Sequence, residues 1–286
     1  MVFVLKGIYD AHMLQAKLHV LRLGVVNFLN ATPLIDGIAS IQGIELVPKV
    51  PSELAGCLER NEVDIALASS IDYQRCDEAL AILPDGVLSS EGETLTVRLC
   101  SKTPFASITE VHCDTDSHTS IALLQIILKN KYGITPTITS CDVRSLHDSK
   151  DWPDTVLMIG DKVVTSATDS VYPLQLDLGD AWYRQTNLPF VFAIWIGKAN
   201  LHNDIVQRAS MVLDRQRRCN AHRIEQVVSD NACSKGWDTK LACRYLTEHI
   251  QYSFTEKHRE SLELFFTQAH SLGLLDAVKP MTFFKK

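Results

Sequence analysis

The sequence lacks the cysteine and histidine spacings that build metal sites. No two of its eight cysteines have CxxC spacing, and none stands beside a suitably spaced pair of histidines. Structural zinc sites depend on such spacings, so we expect no metal site. The cysteines are scattered through apolar or helical stretches, which predicts reduced, mostly buried thiols in a reducing compartment. They are Cys57, Cys76, Cys100, Cys113, Cys141, Cys219, Cys233 and Cys243.

Long apolar runs are also missing. No stretch reaches the roughly 18 uncharged apolar residues that a membrane-spanning helix needs. The N-terminal apolar run has only a few residues, without a basic start or an A-x-A-like cleavage site. We therefore interpret residues 1–18 as a loosely attached N-terminal extension and expect a cytoplasmic protein without a membrane partner.

Positive charge is in short supply. The chain has 28 Lys and Arg residues against 34 Asp and Glu residues, a formal net charge of −6. A nucleic-acid partner would need a basic face to meet the phosphates, so this class of partner is not expected. An anionic small ligand stays open, because a helix N-terminus binds anions without any net positive charge.

What the sequence does contain is short apolar runs alternating with helical patterns. Hydrophobic residues make up 46% and charged residues 22% of 286 residues, enough for one large domain or two lobes with their own cores. Apolar runs at 21–26, 44–47 and 63–68 predict strands, and a helix with Ser52 as its N-cap is predicted between the last two. Strand, helix and strand in this order indicate parallel strands covered by helices.

A second α/β unit and a helical C-terminal part follow. The last helix is expected to begin with a capping box of Ser253 and Glu256. The other predicted elements are a strand at 95–100, a buried helix over 120–130, strands at 156–159 and 189–196, and helices from Asn203 onward.

This order of elements predicts an α/β protein in which one lobe interrupts another, with a ligand cleft between them and helices at the C-terminus. Residues 19–102 plus 190–286 would form the discontinuous lobe 1, and residues 103–189 would form lobe 2. The chain would cross between the lobes near 101–104 and near 187–189. Ligands favour such clefts and the carboxyl ends of parallel strands.

Polar residues follow two of the predicted strands. Asn30 is either a turn former or helix cap, or an amide in the cleft that orients a substrate carboxylate or hydroxyl. Ser69 and Ser70 either cap a following helix or belong to an anion cradle at its start.

The stretch Asp116–Ser120 is the most informative cluster. Ser117, Thr119 and Ser120 bring three hydroxyls to the start of a buried helix, where main-chain N–H groups form a positive end. A simple N-cap needs only one of them, so the cluster favours anion binding. His118 is a candidate base, but no Ser–His–Asp order or His–Glu pair supports nucleophilic chemistry.

Several strings resemble the menaquinone-biosynthesis family that contains chorismate dehydratase. The resemblance spans roughly residues 20–275, and its longest and most specific string lies at 177–195. The strings are Arg22-x-Gly24-x-x-x-Phe28-Leu29-Asn30-x-x-Pro33-Leu34, Asp64–Tyr73, Leu83-Pro84-Asp85 through Glu91-Gly92 to Thr96, Ser117–Ser120, Ile159-Gly160-Asp161, and Asp177-Leu178-Gly179-x-x-Trp182 through Thr186 to Pro189-Phe190-Val191-Phe192-Ala193-x-Trp195.

The resemblance implies a type II periplasmic-binding-protein fold used inside the cell. It implies a lyase of the futalosine route that removes water from chorismate to give 3-[(1-carboxyvinyl)oxy]benzoate, without a metal or organic cofactor. The substrate, a small dianion, would bring its own base in its enolpyruvyl carboxylate. We further expect a monomer or a homodimer.

The resemblance also assigns site residues. Asn30 and Thr96 fall on the family's active-site Asn and Ser and would be catalytic. Thr96 keeps the hydroxyl and adds a methyl group, whereas His118 replaces the usual Arg of the cradle. The residues expected to bind substrate are Ser69, Ser70, Ser117, His118, Thr119 and Ser120.

Two other functions stay open at this point. The first is a non-catalytic intracellular binding protein or sensor for a small carboxylate, built on the same fold. The second is a lyase that acts on another enolpyruvyl or cyclohexadiene carboxylate. Conversion of chorismate by the purified protein separates both from the dehydratase.

Overall fold

Two β-sheets organise the chain in the computed structural model, which describes residues 19–143, 152–166 and 168–285. The strands are β1 (Leu21–Val26), β2 (Ile44–Lys49), β3 (Ile65–Ser69), β4 (Leu80–Ser90), β5 (Val97–Ser101), β6 (Glu110–Asp114), β7 (Thr137–Cys141), β8 (Thr155–Ile159), β9 (Leu174–Asp177), β10 (Phe190–Lys198) and β11 (Ile250–Gln251). The first sheet has the order β11-β4-β10-β3-β1-β2, and the second has the order β7-β6-β8-β5-β9.

Helices cover both sheets and fill the C-terminal part of the chain. The α-helices are α1 (Thr32–Ile35), α2 (Pro51–Glu59), α3 (Asp72–Arg75), α4 (His118–Tyr132), α5 (Lys162–Thr165), α6 (Thr168–Val171), α7 (Leu178–Thr186), α8 (Asn203–His222), α9 (Ile224–Asn231), α10 (Thr239–Arg244) and α11 (Glu256–Ser271). A turn of π-helix, Tyr245–His249, follows α10 directly.

The first sheet is mixed and is built around the predicted βαβ unit. Strand β1 pairs in parallel with β2 and β3, whereas β10 runs antiparallel between β3 and β4. All five residues of β3 are buried, because the sheet is covered on both faces. The parallel strands place the carboxyl ends of β1 and β3 at one edge, which faces the second sheet.

The chain passes between the sheets twice. It leaves the first sheet after β4, enters the second at β5, and returns through α7 and residues 187–189 to β10. Because β5 belongs to the second sheet, strand membership favours a boundary before Val97, earlier than the expected end of the first segment at residue 102. The division into lobes remains a prediction, and the predicted extension, residues 1–18, lies outside the described residues.

Two predicted helix caps are wrong. Helix α2 begins at Pro51 with Val50 as its N-cap, so Ser52 is not the cap. A proline suits this first helical position, because the missing N–H has no helical partner there. Helix α11 has its capping box on Thr255 and His258, whose side chain reaches back to the N-cap backbone, and not on Ser253 and Glu256.

The predicted α/β architecture of two sheet-and-helix units is confirmed. A large apolar cluster contains residues of both sheets, including Leu23 and Ile65 from the first and Leu99 and Leu157 from the second. Four of the eight cysteines are buried, fewer than expected, and none forms a disulfide in the described ranges. No helix among the described residues is both long and apolar enough to cross a membrane.

Candidate functional site

A pocket lies where the two sheets face each other. The space open to the centre of a water molecule is about 40 Å³, whereas one water needs roughly 10–15 Å³. The space between the sheets is therefore small, and most of its surface is apolar. The described residues that line it are Val26, Phe28, Asn30, Pro51, Leu88, Thr94, Thr96, Val97, Ser117, Ser120, Ile159, Gly160, Phe192 and Ala193.

Asn30 reaches this pocket from the end of β1. It lies in a short 3₁₀ turn, Leu29–Ala31, that leads into α1. Its Oδ1 atom is buried and has no hydrogen-bond partner among the described residues. A buried amide oxygen without a partner is costly, so an acceptor held in this way is suited to a ligand donor.

Asp161 holds the turn that carries Asn30. Its carboxylate accepts the N–H of Leu29 at 3.1 and 3.2 Å and the indole N–H of Trp237 at 2.9 Å. Burial raises the pKa of Asp161, and the two N–H donors oppose this shift. Because Asp161 follows β8, this contact joins the second sheet to the Asn30 turn.

Gly160 permits the close approach of the sheets beside this contact. Its φ of +83° lies in the left-handed region, and a Cβ atom there would be 2.9 Å from the Phe28 ring. A side chain at this position would strain the backbone and push Phe28 away. Glycine therefore fixes the distance between the end of β8 and the Asn30 turn.

Thr96 enters the pocket at the first crossing between the sheets. Leu95, just before it, has a φ of +61°, which is unfavourable for a residue with a branched side chain. The carboxylate of Asp177 holds this crossing by accepting the N–H groups of Thr94 at 3.0 Å and Leu95 at 2.8 Å. The same carboxylate caps α7. Burial raises its pKa to about 6, although these N–H donors favour the charged form.

The Thr96 hydroxyl has a partner that sequence reasoning missed. Its Oγ1 atom is 2.8 Å from the phenolic oxygen of Tyr245, and the Asn30 side chain lies beside the same phenol. Tyr245 is fully buried in the π-helical turn and stacks on Trp237, with ring centroids 4.7 Å apart. Nothing in its helical surroundings links Tyr245 to Thr96, which is 149 positions away.

Two of the predicted cradle residues line the pocket. Ser117 is the N-cap of α4, and its Oγ accepts the N–H of Ser120 at 3.3 Å and the Ser120 hydroxyl at 3.1 Å. The simple capping interpretation therefore applies to Ser117. Both hydroxyls nevertheless lie at the positive end of a 15-residue helix and on the pocket wall.

Two further residues of the predicted cradle, Ser70 and Thr119, join the two sheet units. Thr119 Oγ1 accepts the N–H of Ile71 at 3.1 Å and lies 3.3 Å from Ser70 Oγ, which donates to the Val191 carbonyl at 2.8 Å. Neither serine caps α3, because Ile71 is the N-cap. Ser69 is fully buried, and its hydroxyl has no partner among the described residues.

His118 lies beside these contacts between the sheet units and does not line the pocket. Its Nδ1 is 2.9 Å from Oδ1 of Asp72, across the interface between the sheet units, and its side chain is 42% exposed. A role for His118 in binding substrate stays a prediction, as it does for Ser69, Ser70 and Thr119.

The pocket wall carries no side chain that titrates near neutral pH. This statement covers the described residues, which contribute hydroxyls, one amide, aromatic rings and aliphatic groups. The arrangement can position a ligand and donate or accept hydrogen bonds. It offers no carboxylate or imidazole to act as a base.

The comparison with protein families settles the chain's membership. The family described as menaquinone biosynthesis matches residues 21–271. The chain belongs to this family. Among individual members, chorismate dehydratase of Thermus thermophilus is 28% identical over 271 residues, which cover 88% of this chain and 95% of that protein.

Solved structures agree on the architecture. Protein AF1704 from Archaeoglobus fulgidus superimposes with a TM-score of 0.75 at 16% identity, over 89% of this chain and 98% of that one. The alkanesulfonate-binding protein SsuA from Xanthomonas axonopodis, bound to MOPS, has a TM-score of 0.67 at 14% identity, over 89% and 93% of the two chains. The chain of this menaquinone-biosynthesis protein thus has the predicted periplasmic-binding-protein-like fold.

Proposed function

We propose that this protein is a chorismate dehydratase, a lyase that converts chorismate to 3-[(1-carboxyvinyl)oxy]benzoate and water in menaquinone biosynthesis. The family membership and the similarity to the Thermus enzyme support the assignment. The structural observation that carries it is the meeting of Asn30 and Thr96 in one pocket, from opposite sheets. Asn30 offers an amide oxygen that has no partner among the described residues, and Thr96 offers a hydroxyl.

The reaction removes one proton and one hydroxyl from the ring of chorismate. The proton leaves the ring carbon that bears the enolpyruvyl ether, and its bonding electrons form the new ring double bond. The neighbouring C–O bond breaks, and the departing hydroxyl takes up a proton to leave as water. Aromatisation supplies the driving force, so the protein has to hold the reacting conformer and support the developing charge.

The neutral pocket wall supports a mechanism in which the substrate supplies the base. A protein base would have to lie within about 3 Å of the ring proton, or one water away. The described wall residues offer no such group, whereas the enolpyruvyl carboxylate of chorismate is attached to the reacting ring. Asn30 and Thr96 would then orient this carboxylate and the leaving hydroxyl.

A dianionic substrate also fits the start of α4. Ser117 and Ser120 present hydroxyls there, and the helix dipole favours negative charge without any Lys or Arg in the described wall. The present space of about 40 Å³ is too small for a ring compound. Chorismate would therefore enter after the two sheet units separate.

Incubation of the purified protein with chorismate tests the proposal. We expect chorismate to disappear in step with the formation of an aromatic enol ether that is lighter by one water, followed by chromatography and mass spectrometry. Recovery of bound but unchanged chorismate would favour a binding protein or sensor instead. Conversion of a different cyclohexadiene carboxylate would redirect the assignment to another lyase.

Two further expectations belong to the proposal. The protein would act in the cytoplasm, which agrees with cysteines that form no disulfide in the described chain. It would act as a monomer or a homodimer. Cell fractionation and light scattering on the purified protein test these two points.

A further inference from the structure

Tyr245 has a place in the site that neither the motifs nor the family resemblance assign. Its phenolic oxygen lies 2.8 Å from Thr96 Oγ1, behind the pocket wall, while the tyrosine itself is fully buried. The Asn30 side chain lies beside the same phenol. One hydroxyl group therefore contacts both side chains that are proposed to touch the reacting part of the substrate.

The surroundings fix the phenol in this position. The Tyr245 ring stacks on Trp237 with an interplanar angle of 15°, and the Trp237 indole donates to Asp161 at 2.9 Å. Asp161 in turn accepts the N–H of Leu29, next to Asn30. The ring thus cannot swing away without disturbing the turn that carries Asn30. It also lies in a π-helical turn, a feature often found at functional sites.

The direction of the hydrogen bond follows from the chemistry of the two hydroxyls. The distance allows either hydroxyl to donate, and because a phenol is the more acidic group and hence the stronger donor, we assign Tyr245 as the donor and Thr96 Oγ1 as the acceptor. Burial raises the pKa of the Tyr245 phenol above its ordinary value, and the phenol keeps its proton at neutral pH. The other acceptor near the Thr96 hydroxyl, the carbonyl of Thr94, is 3.4 Å away and competes weakly.

We propose that Tyr245 is a positioning residue that makes Thr96 a hydrogen-bond donor toward the substrate's leaving hydroxyl. When Thr96 Oγ1 accepts the phenol hydrogen, the hydrogen of the Thr96 hydroxyl is free to point into the pocket. The developing negative charge on the leaving oxygen would then be met by a chain of two hydroxyls, each polarised by the next. No bond to the protein forms or breaks, and the water that leaves carries the ring proton and the ring hydroxyl. The inference rests on the proposed dehydratase function.

Tyr245→Phe removes the phenol oxygen and keeps the stacked ring. We expect kcat for chorismate to fall about ten- to hundredfold with KM changed less than threefold, because the lost interaction strengthens as charge develops. Tyr252→Phe is the matched control, since the Tyr252 hydroxyl is also buried but has no partner among the described residues. We expect this control to keep kcat within twofold.

A double-mutant test separates positioning from general damage to the core. Thr96→Ser keeps the acceptor and should retain most of kcat, whereas Thr96→Val should lose it. Adding Tyr245→Phe to Thr96→Val should cause no further loss, because the phenol acts through Thr96. Additive losses in the double variant would overturn the inference.

The outcomes also separate this inference from the proposed function. If the wild-type protein converts chorismate and Tyr245→Phe retains kcat within twofold, the positioning role is wrong and the dehydratase assignment stands. If the wild-type protein leaves chorismate unchanged, both are wrong. Circular dichroism checks folding, and Tyr245→Met, which also lacks the hydroxyl, replaces the phenylalanine variant if that variant does not fold.

Discussion

The carboxylate of Asp161 accepts the main-chain N–H of Leu29, at 3.1 Å from Oδ2 and 3.2 Å from Oδ1. Asp161 lies just after the end of β8, in the second sheet. Leu29 begins the turn that carries Asn30, next to the first sheet. One carboxylate therefore sets the position of a proposed catalytic amide from the opposite side of the pocket.

Asp161→Asn should lower kcat/KM for chorismate by about tenfold or more. The variant loses the negative charge that accepts two N–H donors, and bonds to charged acceptors contribute roughly 1.5–3 kcal/mol each. Steady-state kinetics measure the effect. Asp154→Asn is the matched control, because the Asp154 side chain is 79% exposed and pairs with Lys102 at the surface. An equal loss in both variants would remove Asp161 from the site.

Asn30→Ala should lower turnover by about a hundredfold or more while lowering the free energy of unfolding by only about 1 kcal/mol. The amide oxygen has no partner among the described residues, so the variant loses only the contact of the Asn30 side chain with the Tyr245 phenol. Turnover assays and urea unfolding measure the two quantities. Asn27→Ala serves as the control, because that exposed amide bonds Lys235 outside the pocket. Near wild-type turnover in Asn30→Ala would exclude Asn30 from the mechanism.

Ser117→Ala and Ser120→Ala should separate helix capping from substrate binding. Both variants remove a hydroxyl from the pocket wall, but only Ser117 caps α4. We expect Ser117→Ala, which removes the cap and the acceptor of the Ser120 hydroxyl, to lower the free energy of unfolding by about 1–2 kcal/mol, and Ser120→Ala, which removes one hydroxyl hydrogen bond, to lower it by about 0.5 kcal/mol. If the cradle binds substrate, both variants raise KM. An unchanged KM in Ser120→Ala would show that its hydroxyl is not needed for binding.

His118→Asn should change KM for chorismate less than threefold. The imidazole pairs with Asp72 across the two sheet units, is 42% exposed and does not line the pocket. A tenfold rise in KM would instead place His118 in contact with substrate, as the family resemblance implies. The measurement thus decides whether His118 contacts the substrate or only joins the two sheet units.

Stability should depend on pH through His258. Its Nε2 is 2.8 Å from Ser89 Oγ, the side chain is 3% exposed, and burial lowers its pKa from 6.5 to about 4. Between pH 6.5 and pH 4, His258 is protonated in the unfolded chain but stays neutral in the folded protein. The resulting stabilisation is complete above pH 6.5 and is lost as the pH falls to 4, by up to about 3 kcal/mol.

Urea unfolding between pH 4 and pH 7 measures this dependence. His258→Gln should have a shallower rise of unfolding free energy with pH than the wild-type protein, whatever its stability at pH 7. His270→Gln, an exposed position on the same helix, should keep the wild-type slope. Identical slopes in all three proteins would mean that His258 titrates normally.

Parts of the fold were predictable because they depend on local patterns. The apolar run at 21–26 is β1, and the runs at 44–47 and 63–68 fall on β2 and β3 within two residues at each end. The helix after the hydroxyl cluster was also predicted, although it begins two residues earlier, at His118. Sheet membership was not predictable. The alternating pattern at 95–100 predicts a strand, but it does not say which sheet the strand joins, because its partner strands are distant in the sequence.

The sequence by itself determined the α/β class, the positions of most strands and the two polar residues, Asn30 and Thr96, that mark the family. These properties follow from periodicity, turn chemistry and short strings, which act over a few residues. Only the tertiary structure decided that Ser70, Thr119 and His118 join the sheet units while Ser117 and Ser120 line the pocket. It also brought Tyr245 to Thr96, since a contact across 149 positions depends on packing that no local pattern records.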